Sequence, residues 1–533
     1  MARSAWWFSL LLLGPFGLAS LASAAVQAST QRVSLADDGS EAAGASEFTW
    51  ISADGRYVVF SCAADGLVPG DQNGLPDTYL RDRVAGTTTR ISEGLGGAES
   101  QDLSFSGSIS DCGRWIAFAS NAENLVPGDS NRARDIFVRD LQLGVTTRVS
   151  VSSAGDQANG FSFSPRISPD GRFVVFKSLA SDLVAGDSNG KNDLFLHDRN
   201  TGQTDCLSLS PSGQIANAAS ARPDLSADGR YVIFKSFASN LVAGDTNGKW
   251  DAFLFDREQG ALRRVPESVQ GNGHTIRPVI SADGQWVAFE SEASNLVPGD
   301  TQGHADIFLV ALASGVITRV SLGQNGAEAN GPSGFPAISA DGRWIAFQSE
   351  ATNLVAGDTN AAADIFLHDR IRAETIRVSI ADGGAEANGA SASPWISEDG
   401  LSVVFTSLAS NLVAADTNQE QDIFVREWEP SLSIRLEPAV TGVTNDLTVS
   451  GATPGASVHV GWSLELGSRD IPGCPGWTAV LDRPKQLSGL ADATGTLVLS
   501  RAVAASTAGL CVYLQAVEPA SCRVGELLAV RLQ

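Results

Sequence analysis

The sequence predicts an all-β fold, a seven-bladed β-propeller followed by a small C-terminal β-sandwich of the Ig-like kind. Three observations predict it. A string of the form I-S-x-D-G-R-x-V-x-F recurs seven times, with its serine at positions 52, 110, 168, 226, 281, 339 and 397. The spacing is 58 residues with a single step of 55, and a fixed period of this kind marks one supersecondary unit stacked on itself. The composition is turn-rich, with 54 Gly among 533 residues and abundant Ser, Asn and Asp, as short strands joined by tight turns require.

The N-terminal residues "MARSAWWFSLLLLGPFGLASLASA" join one Arg to an apolar run and end in the small residues Ala22-Ser23-Ala24. That pattern predicts a secretory signal peptide over residues 1–24, and hence an exported protein, periplasmic or secreted. No later segment has the apolar length to span a bilayer.

Each repeat then reads as four strands. The first is a short run such as "FPAIS" and the second is "RWIAFQS", joined by an Asp-Gly that suits a tight type I′ hairpin. The third, "DIFLHD", and the fourth, "TIRVS", are β-branched and aromatic enough for buried strands. Four antiparallel strands repeated seven times predict a propeller over residues 30–428. The order of strands predicts its closure. The stretch "TQRVSL" at 30–35 is a fourth strand with no blade before it, and the seventh repeat stops after its third strand, "DIFVREW". The first strand is therefore expected to complete the last blade and remove an exposed edge.

The strings "ISPDGRFVVF" with "DLFLHD", and "ISADGRWIAF" with "DIFLHD", resemble the TolB-like or WD40-like (PD40) propeller repeat, over about residues 30 to 428. The resemblance implies the fold and leaves the task open. For TolB itself it would imply an N-terminal α/β domain and six blades, whereas this chain starts directly in a strand and counts seven copies. From residue 432 to 533 the repeat gives way to short alternating strands between Gly, Pro and Asn turns, the pattern of a β-sandwich that would serve as an adhesion or spacer module.

The most chemical feature is a loop of the form G-D-T-N-x-x-x-D between the second and third strands. It supplies Asp71, Asn73 and Asp77; Asp129, Asn131 and Asp135; Asp187, Asn189 and Asp193; Asp245, Asn247 and Asp251; Asp300 and Asp306; Asp358, Asn360 and Asp364; and Asp416, Asn418 and Asp422. The neighbouring loop adds Asn159, Asn217, Asn272, Asn330 and Asn388. Topology puts both loops on one face, which is expected to be an acidic ring. Oxygen donors at positions 1, 3 and 7 could begin a Ca²⁺ site. The favoured alternative is Asx turns with the final Asp bonding backbone amides.

The chain carries 60 acidic against 37 basic residues, a net charge of −23 and a pI near 4.6. That charge disfavours nucleic acid and anionic membranes and suits cations or basic partners. No G-x-S-x-G elbow and no H-E-x-x-H motif is present. "SADGRW" resembles the sialidase Asp box but lacks the residue between Asp and Gly. Of the five histidines, His197 and His368 share one strand position, which reads as a strand-surface place, and His274 lies in the loop shortened by three residues. Among six cysteines, Cys62, Cys112 and Cys206 fall at unmatched repeat positions, while Cys474 and Cys522 are the favoured disulfide pair. The expectation is a monomeric, non-catalytic binding or scaffold protein without a cofactor other than Ca²⁺. Its acidic face would take a protein, a cell-envelope glycan or a cation. Paired carboxylates at the central channel would make it a carbohydrate-active enzyme instead. The third expectation is a structural surface protein.

Overall fold

The computed structural model describes residues 28–428, with Ser106 described in its backbone only, and beyond them the backbone of the strands between Ser433 and Arg531. The expected signal sequence and the expected Cys474–Cys522 pairing lie outside the described residues. Residues 28–428 form one compact unit and the segment from 429 onward belongs to another.

The first unit is seven four-stranded antiparallel sheets. Blade 1 runs through Ser46–Ile51, Tyr57–Cys62, Asp77–Asp82 and Thr87–Arg90, and the other blades repeat it in sequence order from the inner strand outward. The seventh sheet takes its outermost strand from the start of the chain. Ala28–Arg32 pairs with Asp422–Trp428, Ala28 opposite Trp428 and Arg32 opposite Phe424. The closing strand thus begins two residues earlier than the pattern suggested and ends at Arg32, where the chain turns to form a bridge between Leu35 and Glu41. Closure also buries a shared core. Val58, Phe60 and Tyr79 of blade 1 pack with Val404, Ile423 and Val425 of blade 7, so apolar burial acts between blades as much as within them.

The Asp-Gly connection corrects one expectation. A type I′ turn requires positive φ at both central residues, but in the first repeat only Gly55, at φ 72°, is positive. Gly55 N–H donates to the Ser52 carbonyl at 3.0 Å, and Ser52 N–H to Tyr57 O at 2.9 Å. The connection is a type I turn over Ala53-Asp54 followed by a left-handed glycine. The Asp is held in that geometry because its Oδ1 accepts from Ser52 Oγ at 2.7 Å and from Arg56 N–H at 3.0 Å. The glycine has a second cause: a Cβ on Gly171 would run into the Trp115 ring of the preceding blade, as would one on Gly342 into Trp286. The following Arg pairs with the Asp that ends the third strand, Arg56 with Asp82 at 2.6 Å and Arg172 with Asp198 at 2.7 Å. Blade 5 has Gln285 at the place of the Arg and Ala311 at the place of the Asp, so both partners are missing together.

Beyond the propeller, Ser433–Glu437, Thr444–Ser450 and Leu497–Ala502 form a three-stranded sheet. A second sheet is built on Ser457–Ser463 and Cys511–Glu518, and Leu466–Asp470 pairs with Thr478–Leu481. Among the described residues no helix is long and apolar enough to cross a membrane.

Candidate functional site

The G-D-T-N loops lie at the end of each blade where the inner strand begins, because the second strand ends there opposite the third strand's first Asp, as in Ser407 with Asp422. Their carboxylates do not form the expected acidic surface ring. Asp77, Asp135, Asp193, Asp364 and Asp422 are completely buried, and the side chains of Asp129, Asp358 and Asp416 are 3–4 % exposed.

The physical reason is an arginine on the fourth strand that reaches between the two Asp residues of its blade. In blade 6 Arg377 lies 3.3 Å from Asp358, 3.4 Å from Asp364 and 2.6 Å from Glu386. Arg32 repeats this in blade 7 with Asp416, Asp422 and Glu41, and Arg319 in blade 5 with Asp300, Asp306 and Glu328. Arg148 holds Asp129 and Asp135 at 3.0 and 3.5 Å, and Arg90 lies 3.5 Å from Asp71. The second Asp also accepts a fourth-strand serine hydroxyl, as Asp193 does from Ser208 at 2.7 Å. The Asn makes the Asx turn: Asn131 Oδ1 accepts from Ala133 N–H at 3.0 Å, while its Nδ2 donates to Asp135 at 2.8 Å and to Ala158 O of the next loop at 2.9 Å. Asn73, Asn189, Asn247, Asn360 and Asn418 make the same Asx turn. Burial still raises Asp77, Asp135, Asp193 and Asp251 to about 6. Among the described residues no group of three His, Cys, Asp or Glu side chains is arranged to hold a metal ion.

Blades 3 and 4 depart from the rule. Cys206 stands where the arginine would be in blade 3, buried, with its thiol pushed up to about 12. In blade 4 Arg264 is present, but Asp245 is bonded by Gln270 at 3.0 Å.

The adjoining-loop asparagines are also used internally: Asn159 Oδ1 accepts from Ser181 N–H at 2.9 Å, as Asn217 does from Ser239 at 3.0 Å. His197 and His368 are not strand-surface groups either. Each is largely buried with Nδ1 against a threonine hydroxyl of the fourth strand, Thr204 at 2.9 Å and Thr375 at 3.0 Å.

The blades differ from one another on the inner strands, which line the central channel. Six inner strands carry a bulge after their second residue, and in blade 2 the register shifts after the third, Ser106. The third residue is left in positive φ without being glycine, as in Phe48, Ser164, Arg222, Arg277, Phe335 and Ser393. Such strain persists where the surroundings enforce it, and it clusters at functional positions. The fifth residue of each strand is Trp50, Ser108, Arg166, Asp224, Val279, Ala337 and Trp395 in blade order. These divide the channel. The Trp50 and Trp395 rings meet at 3.8 Å, and the Arg166 guanidinium lies over both, 4.1 and 4.9 Å from their centres. Burial lowers Arg166 to about 10 and raises Asp224 to about 6.

On the G-D-T-N side of this floor the channel opens into a cavity of about 490 Å³ lined by Phe48, Lys177, Arg222, Arg277, Phe335 and Gln421, among others. On the other side it narrows to about 90 Å³ between the Asp-Gly turns, where Asp111 and Glu398 reach in. Those two carboxyls share a hydrogen bond. Burial first, and then the neighbouring Asp111 charge, push Glu398 up to about 7.

Sequence reading named the central channel as the place of an alternative site but missed the residues that line it, because it aligned the repeats for what they share. The signal was available in what they do not share, the residue that varies at each inner-strand position. His274, singled out for its short loop, is used internally: its Nδ1 accepts from Trp250 N–H at 3.1 Å, and the Trp250 ring meets Phe237, with ring centres 5.7 Å apart, and the Lys235 ammonium at 4.4 Å.

No protein-family model matches the chain, and no curated protein matches it. Among solved structures it is similar to an oligogalacturonate lyase from Vibrio parahaemolyticus, at 13% identity and a TM-score of 0.44, covering 75% of this chain and 91% of that one. It is also similar to a protein described as a TolB from Agrobacterium tumefaciens, at 15% identity and a TM-score of 0.35, covering 64% and 94%. At these values the likenesses concern the fold. The seven-bladed ring agrees with the TolB-like repeat that the sequence resembles.

Proposed function

We propose that this is an exported binding protein whose ligand enters the central channel from the G-D-T-N face and rests on the Trp50–Arg166–Trp395 floor. One observation carries the reading. Seven blades with nearly uniform loops present non-uniform residues along the strands that face the channel, and there they enclose a cavity of about 490 Å³ lined by aromatic rings and by polar groups such as Lys177, Arg222, Asp224 and Arg277. That is the build of a small-ligand site. The acidic loop face is no longer the favoured surface, because its carboxylates are committed to arginines, serines and backbone.

The cavity is closed at its floor, so it suits the end of a glycan chain or a short peptide better than a segment passing through. The test is calorimetric titration of the mature protein with panels of short oligosaccharides and peptides, repeated with Phe335→Ala and Phe48→Ala. Loss of roughly tenfold in affinity in the variants supports the site, as stacking losses of this size are usual. Equal affinity in wild type and variants overturns it.

An enzyme in the same channel is the second reading, favoured by the Asp111–Glu398 carboxyl pair, since paired acids with separated proton affinities mark acid-base sites. Release of reducing ends from a glycan by wild type and not by Glu398→Gln would establish it. We read the strands from 432 to 533 as a β-sandwich spacer, for which limited proteolysis should release one stable fragment of that span.

A further inference from the structure

Resting on the channel reading, we infer that the group received by blades 3 to 5 is an anion, the carboxylate or sulfate of an acidic saccharide, held between Lys177, Arg222 and Lys235. The chain carries a net charge of −23, yet this wall of the channel gathers cations. Arg277, beside them, is bonded to Glu290 at 2.8 Å. The Glu290 charge also acts on Lys235 and Arg222, while Lys177 is faced by the like charges of Arg222 and Arg134. Three neighbouring cations therefore share no carboxylate of their own among the described residues.

The fold does not need them. At the place of Lys177 and Lys235 the other blades carry Ser61, Ala119, Glu290, Gln348 and Thr406, and at the place of Arg222 blades 1 and 3 carry Phe48 and Ser164. All build the same strand. Gathering like charges costs stability, so the cluster points to a ligand that relieves it. Aromatic rings back it on one side. Lys177 Nζ lies 4.9 Å from the Phe163 ring centre, Lys235 Nζ 4.4 Å from Trp250, and the Arg277 guanidinium 3.7 Å from Phe335. Flat apolar faces beside a cationic pocket match a pyranose ring that bears an acid group better than an acidic peptide.

The electrostatics agree. Burial first, and then Arg222, Arg277 and Lys177, outweigh Glu290 and lower the Lys235 ammonium to about 8. An anion favours the charged ammonium, so binding raises that value and takes up a proton near and above it. Affinity is then full below about pH 8 and falls as pH rises.

The experiment titrates the mature protein with sodium glucuronate, glucose and triglutamate at about pH 7 and about pH 9.5, alongside Lys235→Met, Lys235→Arg and Arg222→Leu. The chain has only five lysines, Lys177, Lys191, Lys235, Lys249 and Lys485. Dimethyl-lysine NMR can therefore follow each one while inorganic sulfate is added against a chloride control. Expected are binding of glucuronate over glucose by about tenfold or more, and loss of about tenfold at the higher pH in wild type. Lys235→Arg should keep the binding and lose that pH dependence. Sulfate should raise the titration points of Lys177 and Lys235 and leave the other lysines unmoved. Glucose binding as well as glucuronate would overturn the inference while leaving the channel reading standing. A preference for triglutamate would overturn the saccharide assignment. Unmoved lysine titrations together with no glucuronate binding would overturn the anion site.

Discussion

The outer loops and the inner strands of this propeller obey opposite rules. In the G-D-T-N loops the same Asp, Asn and Arg recur with the same partners, so that Arg377 in blade 6 and Arg32 in blade 7 make equivalent ion pairs within a few tenths of an ångström. Along the inner strands no residue type is kept at the fifth position, where Trp, Ser, Arg, Asp, Val, Ala and Trp follow one another. Repetition here marks what every blade needs in order to close on its neighbour. Variation marks the surface that is free to do something else. The two regions also differ in how charge is handled: five of the loops pair their carboxylates with a largely buried arginine, whereas the channel gathers Lys177, Arg222 and Lys235 beside the single Arg277–Glu290 pair.

The largest effect should come from breaking a loop. Asp135→Ala leaves Arg148 buried with half its partners and frees the Ser150 hydroxyl. A loss of about 3–5 kcal/mol is expected, as when one member of a buried ion pair is removed, read by urea unfolding. In the channel the opposite holds. Arg222→Leu should leave unfolding within about 0.5 kcal/mol of wild type or raise stability slightly, since it removes repulsion from a group that the fold does not use.

The narrow end of the channel should set a pH dependence. Glu398 titrates near 7 in the folded protein, above its ordinary value of 4.5. A raised carboxyl favours the native state while protonated, so its contribution is present below about pH 4.5 and is lost as pH rises through about 7. Thermal unfolding should therefore shift downward between pH 5 and pH 8, with Asp77, Asp135, Asp193 and Asp251 adding in the same direction. Glu398→Gln should flatten that slope.

Smaller effects test the exceptions within the loops. Cys206→Arg restores the bridging cation to blade 3 and should add roughly 1 kcal/mol through a charged hydrogen bond to Asp187 or Asp193. A loss instead would show that Phe176 and Phe195 leave no room for it. Unfolding in chelator against millimolar Ca²⁺ should give the smallest shift, because arginine occupies the space between the carboxylates in five blades. Any Ca²⁺-specific rise should vanish in Cys206→Arg if blade 3 is its source.

Much of the architecture was legible in the sequence. The repeat, its four strands and the closure by the N-terminal strand follow from the Ser52-to-Ser397 register and from a fourth strand that precedes any blade. The turn type was not legible, because Asp-Gly is compatible with two geometries. The choice is made by Ser52 and Arg56 bonding Asp54, and in blades 2 to 7 by the Trp, Tyr or Phe of the preceding blade lying under the glycine. The loop chemistry was half legible: Asn131 as an Asx turn could be read locally, but Arg148 lies 19 residues from Asp129 and meets it only when the fourth strand folds back.

By itself the sequence determined the number of blades, the strand order and the Asx turns, since these depend on local periodicity and on side chains bonding within a few residues. Only the tertiary structure decided which carboxylates would be neutralised and that Trp50 and Trp395, 345 residues apart, would seal one channel. It also placed Lys177, Arg222 and Lys235 side by side on one wall. Ring closure brings residues from separate blades to a common axis, and no sequence spacing records the distance across it.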